Sequence, residues 1–150
     1  MKTSFITLIA SMVIALFSMT STAGEQYTKR GYAVSGYDTV AYFTVGAPTK
    51  GDKKIKTEWN GATWLFSSEE NKQLFVANPE KYAPAYDGHC AFAAGIGKKV
   101  SAKPSLWKII DGRLFLNFNK AANNRWLENP ESYITDGDEN WKDLSKEPAA

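Results

Sequence analysis

The chain has 150 residues, with 18 Lys and Arg against 16 Asp and Glu, one His and one Cys. That length fits one domain. The near balance of charge excludes a binder of nucleic-acid phosphates, which needs a concentrated basic face, and the single Cys excludes an internal disulfide.

The first segment reads as an export leader. Lys2 supplies a positive start, Phe5 to Phe17 is apolar apart from Thr7 and Ser11, and Ser21-Thr22-Ala23 sets small residues before a cleavage point. This predicts removal of residues 1–23, a mature start at Gly24, and a periplasmic or secreted protein. The apolar run is shorter than the roughly 20 residues of a membrane span, so no stable membrane insertion is expected after cleavage. No Cys follows the cleavage point, which argues against a lipoprotein. Met1, Met12 and Met19 all lie in the leader. The mature chain therefore has one imidazole, one thiol and no thioether.

Downstream the chain repeats itself. Asn60-Gly-Ala-Thr-Trp-Leu-Phe to Asn78-Pro-Glu-Lys-Tyr82 returns without a gap as Asp111-Gly-Arg-Leu-Phe-Leu-Asn to Asn129-Pro-Glu-Ser-Tyr133. Asn60-Gly61 and Asp111-Gly112 are type I′ hairpin turns, because both central positions need positive φ. The flanking Ile55, Trp59, Trp64 and Phe66, and Trp107, Ile109, Ile110, Leu114 and Leu116, predict strands. Ser67-Ser68-Glu69-Glu70 opens a helix with the S-x-x-E capping box; the helix turns Leu74 and Phe75 inward and stops before Pro79. Its counterpart runs from about Asn119 to Glu128 and stops before Pro130. Each Asn-Pro-x-x-Tyr is read as a loop. The expected fold is α+β, with two related β-hairpin–helix units sharing one core. They span about 36–83 and 86–134 inside a domain of residues 24–142, followed by a tail, 143–150. A weaker echo sets Tyr37–Phe43 beside Tyr86–Phe92, with Cys90 opposite Ala41 and His89 opposite Val40.

These residues resemble a YHS-domain protein of the exported bacterial type. The resemblance rests on Gly36-Tyr37-Asp38-x-Val40-Ala41-Tyr42-Phe43, Trp59-Asn60-Gly61, Trp64-x-Phe66-Ser67-Ser68, Asn71, Phe75, Asn78-Pro79-x-x-Tyr82 and Tyr86-Asp87-Gly88-His89-Cys90-Ala91. It implies a small α+β module with a suspected role in binding a metal, copper in particular. YHS segments of heavy-metal transporters resemble Asp-Pro-Val-Cys-x-Met followed by Phe-Cys-Ser. Here Ala41, Phe43 and Ser67 stand at the two thiol positions and the thioether position. A retained metal function then moves to His89–Cys90.

The local chemistry of that pair is predicted from Asp87-Gly88 before an Ala-rich stretch. Asp87 reads as the N-cap of a short helix ended by Gly95 and Gly97, with Cys90 in its first turn. There the helix dipole favours a thiolate, and Lys98 and Lys99 add positive potential. A thiolate beside an imidazole suits copper or zinc. A closed zinc site wants four ligands, so His89 and Cys90 need support from Asp87, Asp38, Tyr37 or Tyr86, from water, or from a second chain. The expected partners are a metal ion or a metal-handling protein, and a homo-oligomer sharing ligands fits the count. Two other readings stay open: a thiol redox or Cys-dependent enzyme with His89 as base, and a structural or interaction domain with an inert Cys. Asp136-Gly-Asp138-Glu-Asn140 to Glu147 lacks the Gly of a calcium loop and reads as a solvated acidic loop before a frayed tail. Gly95-Ile-Gly97-Lys98-Lys99 lacks the frame of a phosphate loop. The repeated aromatics read as core, and Tyr32, Tyr37, Tyr42 and Tyr86 as candidate walls of a cleft near Cys90.

Overall fold

The computed structural model describes residues 24–150; the predicted leader, residues 1–23, lies outside them. The elements follow in order: β1 (Thr28–Lys29), β2 (Tyr32–Ala33), a 3-10 turn (Val34–Gly36), α1 (Thr39–Thr44), β3 (Asp52–Trp59), β4 (Ala62–Phe66), α2 (Glu69–Ala77) and α3 (Pro79–Tyr82). A second 3-10 turn (Ala85–Gly88) leads to α4 (Ala91–Gly95), β5 (Lys103–Ile110), β6 (Arg113–Asn117), α5 (Lys120–Glu128) and α6 (Pro130–Leu144). The fold is α+β. One sheet has the order β1-β2-β4-β3, with β2 and β4 parallel and the other pairs antiparallel; β5 and β6 form a second, two-stranded sheet.

Both hairpins turn where the sequence predicts. Asn60 and Gly61 have φ of 49° and 72°, and Asp111 and Gly112 have 49° and 74°. Their registers match residue for residue. Lys56 faces Leu65 as Trp107 faces Leu116, and each hairpin is irregular at the same place, between Asp52 and Lys56 and between Lys103 and Trp107. Ser68 caps α2 through the Asn71 N–H, and Asn119 caps α5 through the Ala122 N–H. Phe75 and Trp126 are fully buried from equivalent turns of these helices, whereas Leu74 is 42% exposed, contrary to the inward facing expected of it.

One core draws on both halves. Val40, Tyr42, Trp64, Phe66, Phe75 and Tyr82 pack with Cys90, Ala93, Leu114 and Leu116. A second cluster of Tyr86, Ala91, Ala94, Phe115 and Trp126 is covered by Tyr133, Ile134 and Trp141. The covering residues belong to α6, and here the structure departs from the sequence reading. Asn78 and Asn129 are followed by helices α3 and α6, not loops, with Pro at the first helical position, where its missing N–H costs nothing. The acidic stretch Asp136–Asn140 lies inside α6. Asp138 forms a two-pronged ion pair with Arg113 and accepts from the Tyr86 hydroxyl, and Asn140 donates to the Ala94 carbonyl. Gly137 and Gly95 allow the close approach: a Cβ at Gly137 would lie 2.6 Å from the Tyr86 oxygen, and one at Gly95 2.8 Å from the Tyr133 ring. The terminus is not frayed either, since Lys99 Nζ donates to the carbonyls of Leu144 and Glu147.

Candidate functional site

The approach to α1 and the approach to α4 have the same shape, and that corrects the upstream alignment. Val34, Ser35 and Gly36 have φ of 49°, 54° and 83°; Tyr86, Asp87 and Gly88 have 57°, 49° and 76°. The Tyr37 N–H bonds back to the Val34 carbonyl, and the His89 N–H to the Tyr86 carbonyl. Asp38 N–H reaches the Thr49 carbonyl as Cys90 N–H reaches that of Val100. Ser67 N–H donates to the Asp38 carboxylate as Phe118 N–H donates to Cys90 Sγ, at 2.8 and 3.3 Å. Cys90 therefore stands opposite Asp38, not Ala41, and His89 opposite Tyr37, not Val40. Cys90, not Asp87, is the N-cap of α4.

The two caps are chemically different. Asp38 is fully buried and saturated with donors: the N–H groups of Val40, Ala41 and Ser67, the Ser67 hydroxyl and the Asn71 amide. A thiol is a weak acceptor and cannot replace it. In the second half Asn117 takes over part of the role, because its Oδ1 accepts from the Phe92 N–H at 2.9 Å and lies 3.5 Å from Cys90 Sγ. Where the first half has Ser67 and Asn71 closing over Asp38, the second has Phe118 and Ala122. The space between them is a groove of about 460 Å³ with Cys90 at its floor, walls of Phe92, Ile96, Val100, Phe118 and Ala122, and Lys98 and Arg125 lining it. Ile96 and Phe118 are 48% and 41% exposed.

His89 serves another part of the molecule. Its side chain is fully buried between the Tyr27 and Trp141 rings. Nδ1 lies 3.0 Å from the Tyr86 carbonyl, and Nε2 accepts from the Ala150 N–H at 3.2 Å. Those contacts suit the neutral ring with its proton on Nδ1. Burial, aided by the nearby Lys99 charge, lowers its pKa to about 4. Cys90 is pushed the other way: burial raises the thiol, partly offset by the N–H groups of Ala93, Phe118 and Phe92. The expected thiolate at a helix start is not what these surroundings favour, because α4 is one short turn and Cys90 is 1% exposed.

The structure separates the sequence-predicted ligands. Cys90 borders the groove and His89 faces the N- and C-terminal segments. Asp38 is held in its own network in the first half, and Tyr37 borders a different hollow with Tyr32 and Lys50. Asp87 lies at a third opening with Trp59, Lys81 and Arg113. Among the described residues no group of three or more His, Cys, Asp or Glu has the arrangement of a metal site. None of the four candidate tyrosines lines the Cys90 groove; Tyr42 donates to the Pro104 carbonyl and Tyr86 to Asp138. Sequence reasoning missed Asn117, Phe118 and Ala122. Their signal was available at the second-half counterparts of Phe66, Ser67 and Asn71, once Cys90 is set opposite Asp38.

The YHS-domain family model matches residues 40–86, a stretch that begins after Asp38 and stops before His89 and Cys90. No curated protein and no solved structure gives a significant match. Residues 40–86 of this chain are thus similar to the YHS domain.

Proposed function

We propose that this protein is an exported, non-enzymatic metal-handling module in which Cys90 alone contacts the metal, a soft ion of the copper class. The observation that carries the reading is the position of Cys90. The only thiol stands in the second half where Asp38 stands in the first, and it floors an open apolar groove where Asp38 is sealed by polar partners. The family is associated with metal handling, and the YHS match covers residues 40–86. At that half's thiol positions this chain has Ala41 and Ser67. A soft thiolate ligand selects Cu(I), and the groove admits a further donor from a small ligand or a partner protein. His89 contributes position and packing rather than a ligand, since both ring nitrogens have partners. Those partners also engage the imidazole that thiol catalysis would need as its base, which counts against that reading.

A competitive titration of the reduced protein with Cu(I) tests this. Wild type binds one ion per chain, Cys90→Ala loses that binding, and His89→Gln keeps it. Metal binding displaces the thiol proton, so apparent affinity falls about tenfold for each pH unit below the thiol pKa. Unchanged affinity in Cys90→Ala would sink the proposal. Failure of every variant and of wild type to bind would favour the second reading, a structural domain with an inert Cys, which the near-complete burial of the sulfur supports.

A further inference from the structure

The residue predicted to become the N-terminus is already seated in the fold. Gly24 is buried. Its carbonyl accepts from the Asn60 side chain at 3.4 Å, the following Gln26 is 4% exposed, and the Tyr27 N–H donates to the Asp87 carbonyl at 2.8 Å. Gly24 is wedged so tightly that a Cβ there would lie 2.4 Å from Asp87 Oδ2 and 2.9 Å from the Ser145 carbonyl oxygen.

Asp87 is the other half of the observation. Its Oδ2 is buried and, among the described residues, has no hydrogen-bond partner. An unpartnered carboxylate oxygen is costly in the interior. The metal reading does not use it, and the groups nearest in charge or donor character are the Gly24 amide, the Trp141 indole and Lys99. Burial outweighs all three and raises the acid.

We infer that Asp87 is the receptor for the α-ammonium group created at Gly24 when the leader is removed. Hydrolysis of the Ala23–Gly24 amide by a signal peptidase consumes one water. The leader departs with the Ala23 carboxylate, and the Gly24 nitrogen leaves as an amine that takes up a proton. One amide N–H becomes three charged N–H donors beside a carboxylate oxygen that lacks one. Maturation thereby completes a buried ion pair joining the start of the chain to the turn before His89 and Cys90, with the Ser145 end of α6 packed against the same glycine. The inference rests on the leader reading and not on metal binding.

The test compares the chain beginning at Gly24 with the same chain retaining Ala23, each with Asp87 and with Asp87→Asn. In the Gly24 chain the α-amino group, followed by NMR with labelled glycine, titrates above about 9, where a free one titrates at about 7.7–8.0. Asp87→Asn returns it to that range. The Gly24 chain melts at least about 3 °C above the Ala23-extended chain at neutral pH, and Asp87→Asn abolishes that difference. An ordinary α-amino titration, equal melting temperatures, or a difference that survives Asp87→Asn would overturn the inference. So would N-terminal sequencing of the exported protein that finds a start other than Gly24.

Discussion

The two halves solve the same backbone problem with different chemistry. Before α1 and before α4 the chain passes through three residues of positive φ and presents one side chain to an incoming strand end. In the first half that side chain is Asp38, and five donors consume it. In the second it is Cys90, which accepts from Phe118 and leaves the Phe92 N–H to Asn117. Polar closure makes the first place structural. Replacing Ser67 and Asn71 by Phe118 and Ala122 leaves the second open and apolar, with the Cys90 thiol at its floor. In this comparison a saturated carboxylate marks the position that holds the fold, and a weakly satisfied thiol beside free volume marks the position available for binding.

The sharpest way to break the comparison is Asp38→Ala. It strands the N–H groups of Val40, Ala41 and Ser67 together with the Ser67 hydroxyl and the Asn71 amide, and should cost about 4 kcal/mol in denaturant unfolding. Cys90→Ala should cost much less, because the N–H groups around the sulfur lose only a weak acceptor. Equal losses at the two sites would show that Cys90 is as structural as Asp38.

The next effect is a pH dependence that belongs to the second half. His89 takes up a proton near 6.5 in the unfolded chain and only at about 4 when folded. Its contribution is complete above pH 6.5 and is lost as pH falls toward 4, amounting to about 3 kcal/mol. His89→Gln should flatten that limb of the stability profile. A wild-type profile with the same slope as the variant would contradict the buried neutral ring.

Asn117→Ala is a smaller lesion and probes the substitute cap directly. It removes the acceptor of the Phe92 N–H and the neighbour of the Cys90 thiol, and should cost about 2 kcal/mol. The first-half counterpart, Phe66, is an ordinary core residue, so Asn117 has its polar role only because Cys90 cannot cap.

Much of the fold was legible because short-range physics decides it. The Asn60-Gly61 and Asp111-Gly112 turns, the start of α5 at Asn119 and the buried Phe75 and Trp126 follow from local sequence, whereas the capping box expected from Ser67 to Glu70 does not form: the Ser67 hydroxyl donates to Asp38, and Ser68 caps α2 through the Asn71 N–H. The register of the upstream segments was not legible. Val34, Ser35, Tyr86 and Asp87 adopt positive φ without being glycine, and nothing in their composition announces it. The echo of Tyr37-Asp38 in Tyr86-Asp87 therefore drew the eye to the wrong alignment. α6 was missed because Asp136-Gly-Asp138 is poor helix material by itself; it is held as helix by Arg113, Tyr86 and the close approach of Gly137 to the second core. Adjacency in sequence also suggested that His89 and Cys90 work together, whereas the extended backbone at both residues gives each its own neighbours.

Amide chemical-shift mapping during Cu(I) titration of the reduced mature protein tests the central claim most directly. The account predicts saturable shifts at one equivalent in Phe92, Phe118 and Ala122 around Cys90, with Val40, Ser67 and Asn71 around Asp38 unmoved. Shifts centred on the first half or on His89 and Trp141, or none at one equivalent, would contradict it.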